Sequence, residues 1–184
     1  MPAVAVRELS IPGLFLVERV THRDDRGFFR EVVRWDELEE AIGHEFRPVQ
    51  WNHSVSEPGV LRALHAEGWN KLVYPITGRM FAAVVDIRPE LPSFGHTVEL
   101  TFDASDPCAL FIPRGLANSI CVSGDEPVHY LYLVDAYYDG TDTRAVAWDD
   151  PDLDIRWPVT DPVISERDRA NPTLRELFPD KFTA

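Results

Sequence analysis

Residues 49–65, VQWNHSVSEPGVLRALH, decide the fold of this chain. Two runs in this stretch, Val49–Val55 and Val60–His65, have the short apolar or alternating character of strands, and Glu57-Pro58-Gly59 separates them. Alternation with a period of two gives a strand one face for a core and another for solvent. The Pro-Gly pair marks a turn. The stretch therefore predicts two consecutive β-strands.

The same pattern extends along most of the chain in both directions. Runs recur about every 8 to 12 residues, which is the spacing typical of a β-sandwich or barrel. The further runs are Leu14–Val20, Phe28–Val33, Leu72–Thr77, Arg79–Ile87, Thr97–Phe102, Ala109–Ile112, Ser119–Val122 and Val128–Val134. Helical character is confined to Trp35–Ile42, which ends at Gly43, and to short pieces near Ser165–Ala170 and Thr173–Phe178. We predict a mainly β fold, a double-stranded jelly-roll barrel with short peripheral helices.

Length and charge restrict the possible classes of protein. The 184 residues, with neither an internal repeat nor a linker, predict a single domain over 1–184. A net charge of -13 argues against nucleic acid and anionic membranes as partners. The apolar runs are far shorter than the roughly 20 residues of a membrane span. Residues 1–10 lack the pattern of a signal peptide, so we expect a cytoplasmic protein.

A jelly-roll barrel raises the question of a metal site. Cupin-type sites use two histidines spaced by one residue, a nearby Glu and a third His on a later strand. Here His65 and Glu67 have no second His close by, and the later segment 113–118 reads PRGLAN. A set of three suitable N or O ligands is therefore absent from the sequence pattern, and we predict no metal.

Eight sequence elements in a fixed order resemble the dTDP-4-dehydrorhamnose 3,5-epimerase family, and together they cover nearly the whole chain. They are DDRGFFRE (24–31), PVQWNHSVSEPGVLRALH (48–65), Lys71, VVDIRPELPSFG (84–95), FIPRGLANS (111–119), HYLYLVDAYY (129–138), WDDPDLDIRWP (148–158) and ISERDRANP (164–172). The resemblance implies a cupin-like homodimer that uses no metal or organic cofactor. It implies a dTDP-linked 4-keto-6-deoxyhexose as substrate, with inversion of carbon 3, carbon 5 or both, in deoxysugar biosynthesis.

Epimerisation beside a ketone needs a base on one face of the sugar, stabilisation of the enolate oxygen, and an acid on the opposite face. The resemblance implies that His65 is the base, and an imidazole titrates near neutral pH. The alternative is a hydrogen-bonded core histidine. By the same resemblance Asp168 pairs with His65 and stabilises the imidazolium. The spacing Ser165-x-x-Asp168 is also that of a helix-capping motif, so this alternative stays open.

The resemblance implies two further residues, one that stabilises the enolate and one that donates the second proton. Lys71 matches the lysine near oxygen 4 of the sugar, the alternative being a solvated surface lysine. Tyr132 matches the tyrosine that returns a proton at carbon 5. Strand alternation places Tyr130 and Tyr132 on one face, so only the resemblance selects Tyr132.

Substrate recognition is implied for a larger set of residues. They are Arg26, Phe29, Glu31, Gln50, Asn52, Arg62, Asn118 and Tyr138. By the same resemblance we expect Phe28 or Phe29 to stack on the base, with core packing as the alternative, and we expect some of these positions to act from the partner subunit. Arg62 lies three residues before His65, so an ideal strand puts the two on opposite faces. A bulge, or contact from different sides of the pocket, is needed for both to meet the ligand.

Three departures from the family pattern concern the sugar pocket. Asn118 stands where a second histidine is usual, and Asn does not carry a proton at neutral pH. Ala66-Glu67 replaces a bulky apolar residue and Gln, and the loop from His65 to Lys71 is short. These changes leave open a single-position epimerase, another nucleotide carrier, or a non-catalytic sugar-nucleotide-binding cupin. A 3,4-ketoisomerase of related fold is a further alternative, against which the Tyr132 match and the Ser165–Asp168 motif argue.

Overall fold

The computed structural model describes residues 5–105, 108–140 and 143–183. Within these ranges the chain forms thirteen strands, three α-helices and one 3-10 helix. The strands are β1 (Ala5–Glu8), β2 (Phe15–Glu18), β3 (Thr21–Asp24), β4 (Gly27–Arg30), β5 (Gln50–Ser56), β6 (Leu61–Glu67), β7 (Lys71–Pro75), β8 (Arg79–Asp86), β9 (Thr97–Asp103), β10 (Ala109–Ile112), β11 (Leu116–Val122), β12 (Val128–Val134) and β13 (Thr143–Ala145). The helices are α1 (Trp35–Ile42), α2 (Glu166–Arg169), α3 (Leu174–Leu177) and the 3-10 helix Pro179–Lys181. The predicted mainly β fold with short peripheral helices is confirmed.

The strands form two large antiparallel sheets and one hairpin. One sheet has six strands in the order β1-β2-β10-β7-β12-β5, and the other has five in the order β13-β6-β11-β8-β9. The third sheet is the β3–β4 hairpin alone. Neighbours in these sheets are often far apart in sequence, as in β2 with β10, which is the connectivity of a jelly roll rather than of a simple meander.

The main core lies between the two large sheets. Leu16 and Val73 of the six-stranded sheet pack in one cluster with Met80, Val84 and Leu116 of the five-stranded sheet. These residues alternate with outward-facing neighbours along each strand, as the period-two pattern predicts. Burying each such side chain contributes about 1.5–3 kcal/mol to folding. The apolar pattern therefore holds the two sheets face to face.

The outer faces of the sheets are covered by the segments that connect and follow the strands. On the five-stranded sheet, Phe81, Ala83 and Val85 of β8 pack outward against Leu153 and Leu174 of the C-terminal segment. Both faces of β8 are thus buried, which explains why its sequence is almost continuously apolar. On the six-stranded sheet, Leu38 of α1 and Phe46 cover Phe111 and Leu72.

Some elements differ from the sequence expectation. Helix α1 has the predicted bounds, and Gly43 ends it with a φ of 74°, a left-handed conformation that glycine adopts without strain. Strands β1, β3 and β13 were not among the predicted runs, because they are three or four residues long and largely polar or exposed. Among the helices described, none is long and apolar enough to cross a bilayer.

Candidate active site

A β-bulge in β6 brings Arg62 and His65 to the same cavity. Where β6 pairs with β11, Asn118 lies opposite His65 and Ile120 opposite Arg62. Three steps along β6 therefore correspond to two along β11, which is the signature of one extra residue. The strand accommodates it at Ala63 and Leu64, consecutive residues that are both fully buried. The bulge cancels the ideal alternation that would put Arg62 and His65 on opposite faces.

Two adjoining cavities meet at His65. The central cavity has a volume of about 140 Å³ and is lined by Ser54, Arg62, Ala63, His65, Glu67, Lys71, Val73, Asn118, Ser119, Ile120, Tyr130 and Tyr132. The adjoining cavity, of about 280 Å³, is lined by Gln50, Asn52, His65, Glu67, Trp69, Tyr132, Tyr138 and Arg167. His65, Glu67 and Tyr132 line both. The five-stranded sheet supplies His65 and Glu67, while Tyr132 comes from β12 of the facing sheet.

His65 and Asp168 form a hydrogen-bonded pair at the wall of these cavities. His65 Nε2 lies 2.7 Å from Asp168 Oδ1, and Asp168 Oδ2 accepts from the Ala63 amide at 3.4 Å. Burial raises the pKa of Asp168, but the hydrogen bond and charge of His65, with the Ala63 amide, outweigh it and lower that pKa overall. Asp168 is therefore ionised and can only accept, so Nε2 carries the proton and Nδ1 has a free lone pair in the neutral ring.

The capping interpretation of Asp168 is compatible with this pair. Ser165 is the N-cap of α2, and its Oγ accepts from the backbone amide of Asp168 at 3.1 Å. The backbone amide of Asp168 thus forms the capping hydrogen bond, while its carboxylate forms the hydrogen bond with His65. The short helix α2 fixes the direction in which the carboxylate points.

Lys71 is buried at the start of β7, with 7% of its surface exposed, so the surface-lysine interpretation is wrong. Its Nζ donates to Glu67 Oε2 at 2.8 Å and to Asn118 Oδ1 at 3.4 Å, and it lies 5.4 Å from the centroid of the Tyr132 ring. Asn118 Nδ2 in turn donates to the His65 carbonyl at 2.8 Å. Asn118 therefore connects the lysine to the strand that carries the histidine.

The two tyrosines of β12 share a face, as alternation predicts, but they are not equivalent. Their rings stack with centroids 6.0 Å apart, and burial raises the pKa of both hydroxyls. Tyr130 is 5% exposed and lines the central cavity only, whereas Tyr132 lines both cavities and lies beside Lys71. A raised pKa keeps the phenol protonated at neutral pH, which a proton donor requires.

Comparison with known proteins identifies the family. The model of the dTDP-4-dehydrorhamnose 3,5-epimerase family matches residues 8–176. The chain belongs to this family. It is 36% identical over 167 residues to the dTDP-4-dehydrorhamnose 3,5-epimerase of Shigella flexneri, covering 89% of this chain and 92% of the relative. The enzyme is therefore dTDP-4-dehydrorhamnose 3,5-epimerase-like.

Solved structures agree with this assignment and confirm the cupin-type jelly roll. The 4-keto-6-deoxy sugar epimerase of the novobiocin gene cluster of Streptomyces spheroides has a TM-score of 0.91 and 31% identity, covering 96% of this chain and 89% of its own. A 3'-monoepimerase from Streptomyces bikiniensis, solved in complex with dTDP-quinovose, has a TM-score of 0.87 and 33% identity, covering 93% and 89%. The dTDP-4-keto-6-deoxyhexose epimerases thus include both 3,5-epimerases and 3'-monoepimerases.

Most positions implied by the family resemblance converge in the structure. Arg62 and Asn118 line the central cavity, and Gln50, Asn52 and Tyr138 line the adjoining one. The Gln50 amide donates to Asn52 Oδ1 at 2.7 Å. The positions that the resemblance implies for binding on β5, β6, β11 and the segment after β12 therefore lie around the two adjoining cavities.

Arg26, Phe29 and Glu31 are the exceptions. They belong to the β3–β4 hairpin and the residue after it, and they line neither of the two cavities. Arg26 pairs with Asp24 and Glu31 with Arg34. Phe28 and Phe29 are 60% and 67% exposed, so the core-packing interpretation of this pair is wrong.

Glu67, Trp69 and Arg167 also line these two cavities but were not among the predicted site residues. Glu67 lies two residues after His65, so strand alternation alone could have put it on the same face. Trp69 lies in the short loop between β6 and β7, and Arg167 on α2, where no periodicity reports the direction of a side chain. In the described ranges, no group of three or more His, Cys, Asp or Glu residues lies where it could hold a metal ion.

Proposed function

We propose that this protein inverts carbon 3, carbon 5 or both of a dTDP-linked 4-keto-6-deoxyhexose in deoxysugar biosynthesis. The observation that carries the proposal is the His65–Asp168 pair in a cavity that Lys71 and Tyr132 also line. These side chains are a base with its orienting carboxylate, a cation and a phenol. They match the three needs of enolisation and reprotonation.

In the proposed reaction, His65 Nδ1 takes a proton from a carbon beside the ketone. The C–H electron pair forms a C=C bond, and the carbonyl π electrons move to oxygen 4. The Lys71 ammonium stabilises the charge on that oxygen. Asp168 stabilises the imidazolium, as the carboxylate of a triad does.

Inversion requires the second proton to arrive on the opposite face of the ring. His65 lies on the five-stranded sheet and Tyr132 on the six-stranded sheet, so the two groups approach the compartment from different walls. At carbon 5, the C=C electron pair takes the hydroxyl proton of Tyr132 as the ketone re-forms at carbon 4, and the phenolate regains a proton from solvent. The adjoining cavity, with Gln50, Asn52 and Tyr138, binds the part of the substrate that does not react.

The β3–β4 hairpin has a place in this proposal as part of a homodimer. It presents Arg26 and two exposed phenylalanines around a surface cavity of about 410 Å³. Trp51 and Val55 on the outer face of edge strand β5 are also exposed, and apolar surface of this kind favours association. We propose that the hairpin of one subunit supplies Arg26, Phe29 and Glu31 to the nucleotide site of its partner.

The test is incubation with dTDP-4-keto-6-deoxyglucose in heavy water, with NMR locating the deuterium. Deuterium at carbon 3, carbon 5 or both, with inversion, supports an epimerase. Transfer of the ketone to carbon 3 would mean a 3,4-ketoisomerase instead. Tight binding without any exchange would mean a non-catalytic sugar-nucleotide-binding cupin.

Inversion at a single carbon is the second candidate. Asn118 stands in the central cavity at a position where the family usually has histidine, so one proton carrier is replaced by a group that only forms hydrogen bonds. The likeness to a 3'-monoepimerase is consistent with this candidate. Deuterium at one carbon only, at full conversion, would identify it.

A further inference from the structure

Glu67 is a carboxylate inside the proposed catalytic compartment for which the reaction above has no role. It is the last residue of β6, on the same face as His65, and its side chain is 16% exposed. It lines both the central and the adjoining cavity. An uncompensated carboxylate beside a developing enolate would oppose the reaction, so its presence needs an explanation.

The contacts of Lys71 supply that explanation. The ammonium donates to Glu67 Oε2 at 2.8 Å and to Asn118 Oδ1 at 3.4 Å, and the face of Tyr132 lies 5.4 Å away. An ammonium has three N–H donors, of which these two acceptors take two. The third is left for a ligand oxygen in the cavity that Lys71 lines.

We propose that Glu67 is a positioning residue for Lys71: it holds the ammonium, together with Asn118, in the one orientation that meets oxygen 4 of the sugar. A lysine side chain is long and flexible, and it loses much rotational freedom when it is held in one place. The short loop from Glu67 to Lys71 puts carboxylate and ammonium four residues apart, directly across the turn between β6 and β7. This inference rests on the proposed function, since it assigns the role of Lys71 that the reaction requires.

Position and charge make opposite predictions for Glu67→Gln. The amide leaves Lys71 only a weaker, uncharged acceptor, and it removes the negative charge that weakens the field at the enolate. If the field dominated, kcat would rise. If position dominates, as we propose, kcat falls by about tenfold, the size of effect that coupled neighbours give. We expect KM to change little, and we expect kcat to fall further in Glu67→Ala than in Glu67→Gln. The control is Asp152→Asn, which breaks the exposed pair with Arg175 and should leave activity unchanged.

A double-mutant cycle separates positioning from a general effect on folding. In the Lys71→Met background there is no ammonium to position, so adding Glu67→Ala should cause no further loss of deuterium exchange. A multiplicative loss, or a kcat that rises in Glu67→Gln, would overturn the proposal. Unfolding midpoints measured on the same proteins identify any variant that is merely unfolded.

Lysine NMR gives a readout that does not depend on turnover. Lys71 and Lys181 are the only lysines of the chain, so protein labelled with 15N-lysine gives two side-chain ammonium signals at most. We expect a slowly exchanging Lys71 signal in the wild type that is lost or moves toward that of a mobile lysine in Glu67→Gln. An unchanged signal would refute the positioning role. A wild type that never exchanges substrate protons would instead refute the proposed function, with the NMR result still reporting on the Glu67–Lys71 pair.

Discussion

His65 and Asp168 are 103 positions apart in the chain and 2.7 Å apart in the structure. The bulge in β6 turns the histidine into the cavity, and the N-cap of α2 turns the carboxylate toward it. Each half of the pair is therefore held by backbone structure rather than by the other half. Replacing either residue should therefore leave the fold intact, so that a change in the rate of proton exchange reports the chemical role of that residue.

At this scale we expect His65→Ala to fold normally and to lose proton exchange at both carbon 3 and carbon 5. Asp168→Asn removes the charge that stabilises the imidazolium, and it should reduce the rate by at least about 100-fold, the lower range of general-base effects. Deuterium incorporation followed by NMR measures both. Wild-type exchange in the His65→Ala protein would contradict the assignment of the base.

Tyr132→Phe tests the proton donor. The substitution removes the transferable proton but keeps the ring beside Lys71, so exchange at carbon 3 should continue while inversion at carbon 5 fails. Tyr130→Phe is the matched control, because that ring stacks on Tyr132 and does not reach the adjoining cavity. Near-wild-type turnover at both carbons in Tyr132→Phe would mean that another tyrosine, Tyr130 or Tyr138, is the donor.

At the scale of elements, the β3–β4 hairpin combines exposure with an arrangement suited to a ligand. The centroid of the Phe28 ring lies 5.6 Å from Cζ of Arg23 and 5.0 Å from Cζ of Arg30. The Phe29 side chain is exposed to solvent. An isolated two-stranded hairpin is only marginally stable. Exposed aromatic rings on such a hairpin are unfavourable in water, so they are expected to contact a ligand or another protein surface.

We expect Phe29→Ala to change the free energy of unfolding by no more than about 0.5 kcal/mol in the monomer, as for surface substitutions. It should raise KM for the nucleotide sugar, because it removes a ring that stacks on the base. Phe111→Ala is the contrast: this side chain is 1% exposed, and its removal should cost about 3–5 kcal/mol. Denaturant titration and steady-state kinetics make the comparison. A large stability loss with unchanged KM for Phe29→Ala would show a packing role instead.

At the scale of the whole molecule, the proposed exchange of hairpins between subunits has a quantitative consequence. Mixing subunits that carry His65→Ala with subunits that carry Arg26→Ala and Phe29→Ala gives hybrid dimers in which one site receives both wild-type parts. At a substrate concentration well below the KM of the hairpin variant, random mixing of equal amounts should then restore about one quarter of the wild-type sites, as a closed twofold dimer requires. If all site residues came from one chain, mixing would restore nothing. Activity after denaturation and refolding of the mixture measures the outcome.

Dependence on metal is also a property of the whole protein. Among the described residues no suitable ligand group is present, and the proposed chemistry uses Lys71 as the cation. Exhaustive chelation should therefore leave activity and the thermal midpoint unchanged. A stoichiometric metal that leaves together with activity, and restores it on return, would overturn the cofactor-free proposal.

Much of the fold could be predicted from local pattern. The runs in Val49–Val55, Val60–His65 and Val128–Val134 became strands within a few residues of the expected bounds, and α1 has the bounds that were expected. Alternation, helix periodicity and glycine at a helix end are properties of near neighbours in the chain. Shorter polar strands such as β3 have too little pattern to be found, because their existence depends on the partner strand.

The sequence by itself determined the mainly β architecture, the family and the residue types available for catalysis, because those depend on local alternation and on the identity of aligned positions. Tertiary structure alone decided that Arg62 and His65 share a cavity, that Tyr132 rather than Tyr130 lies beside Lys71, and that Glu67 pairs with that lysine. The physical reason is the same in each case. A bulge, a cavity wall and a buried ion pair arise where strands distant in sequence pair and pack, and no periodicity within one strand records them.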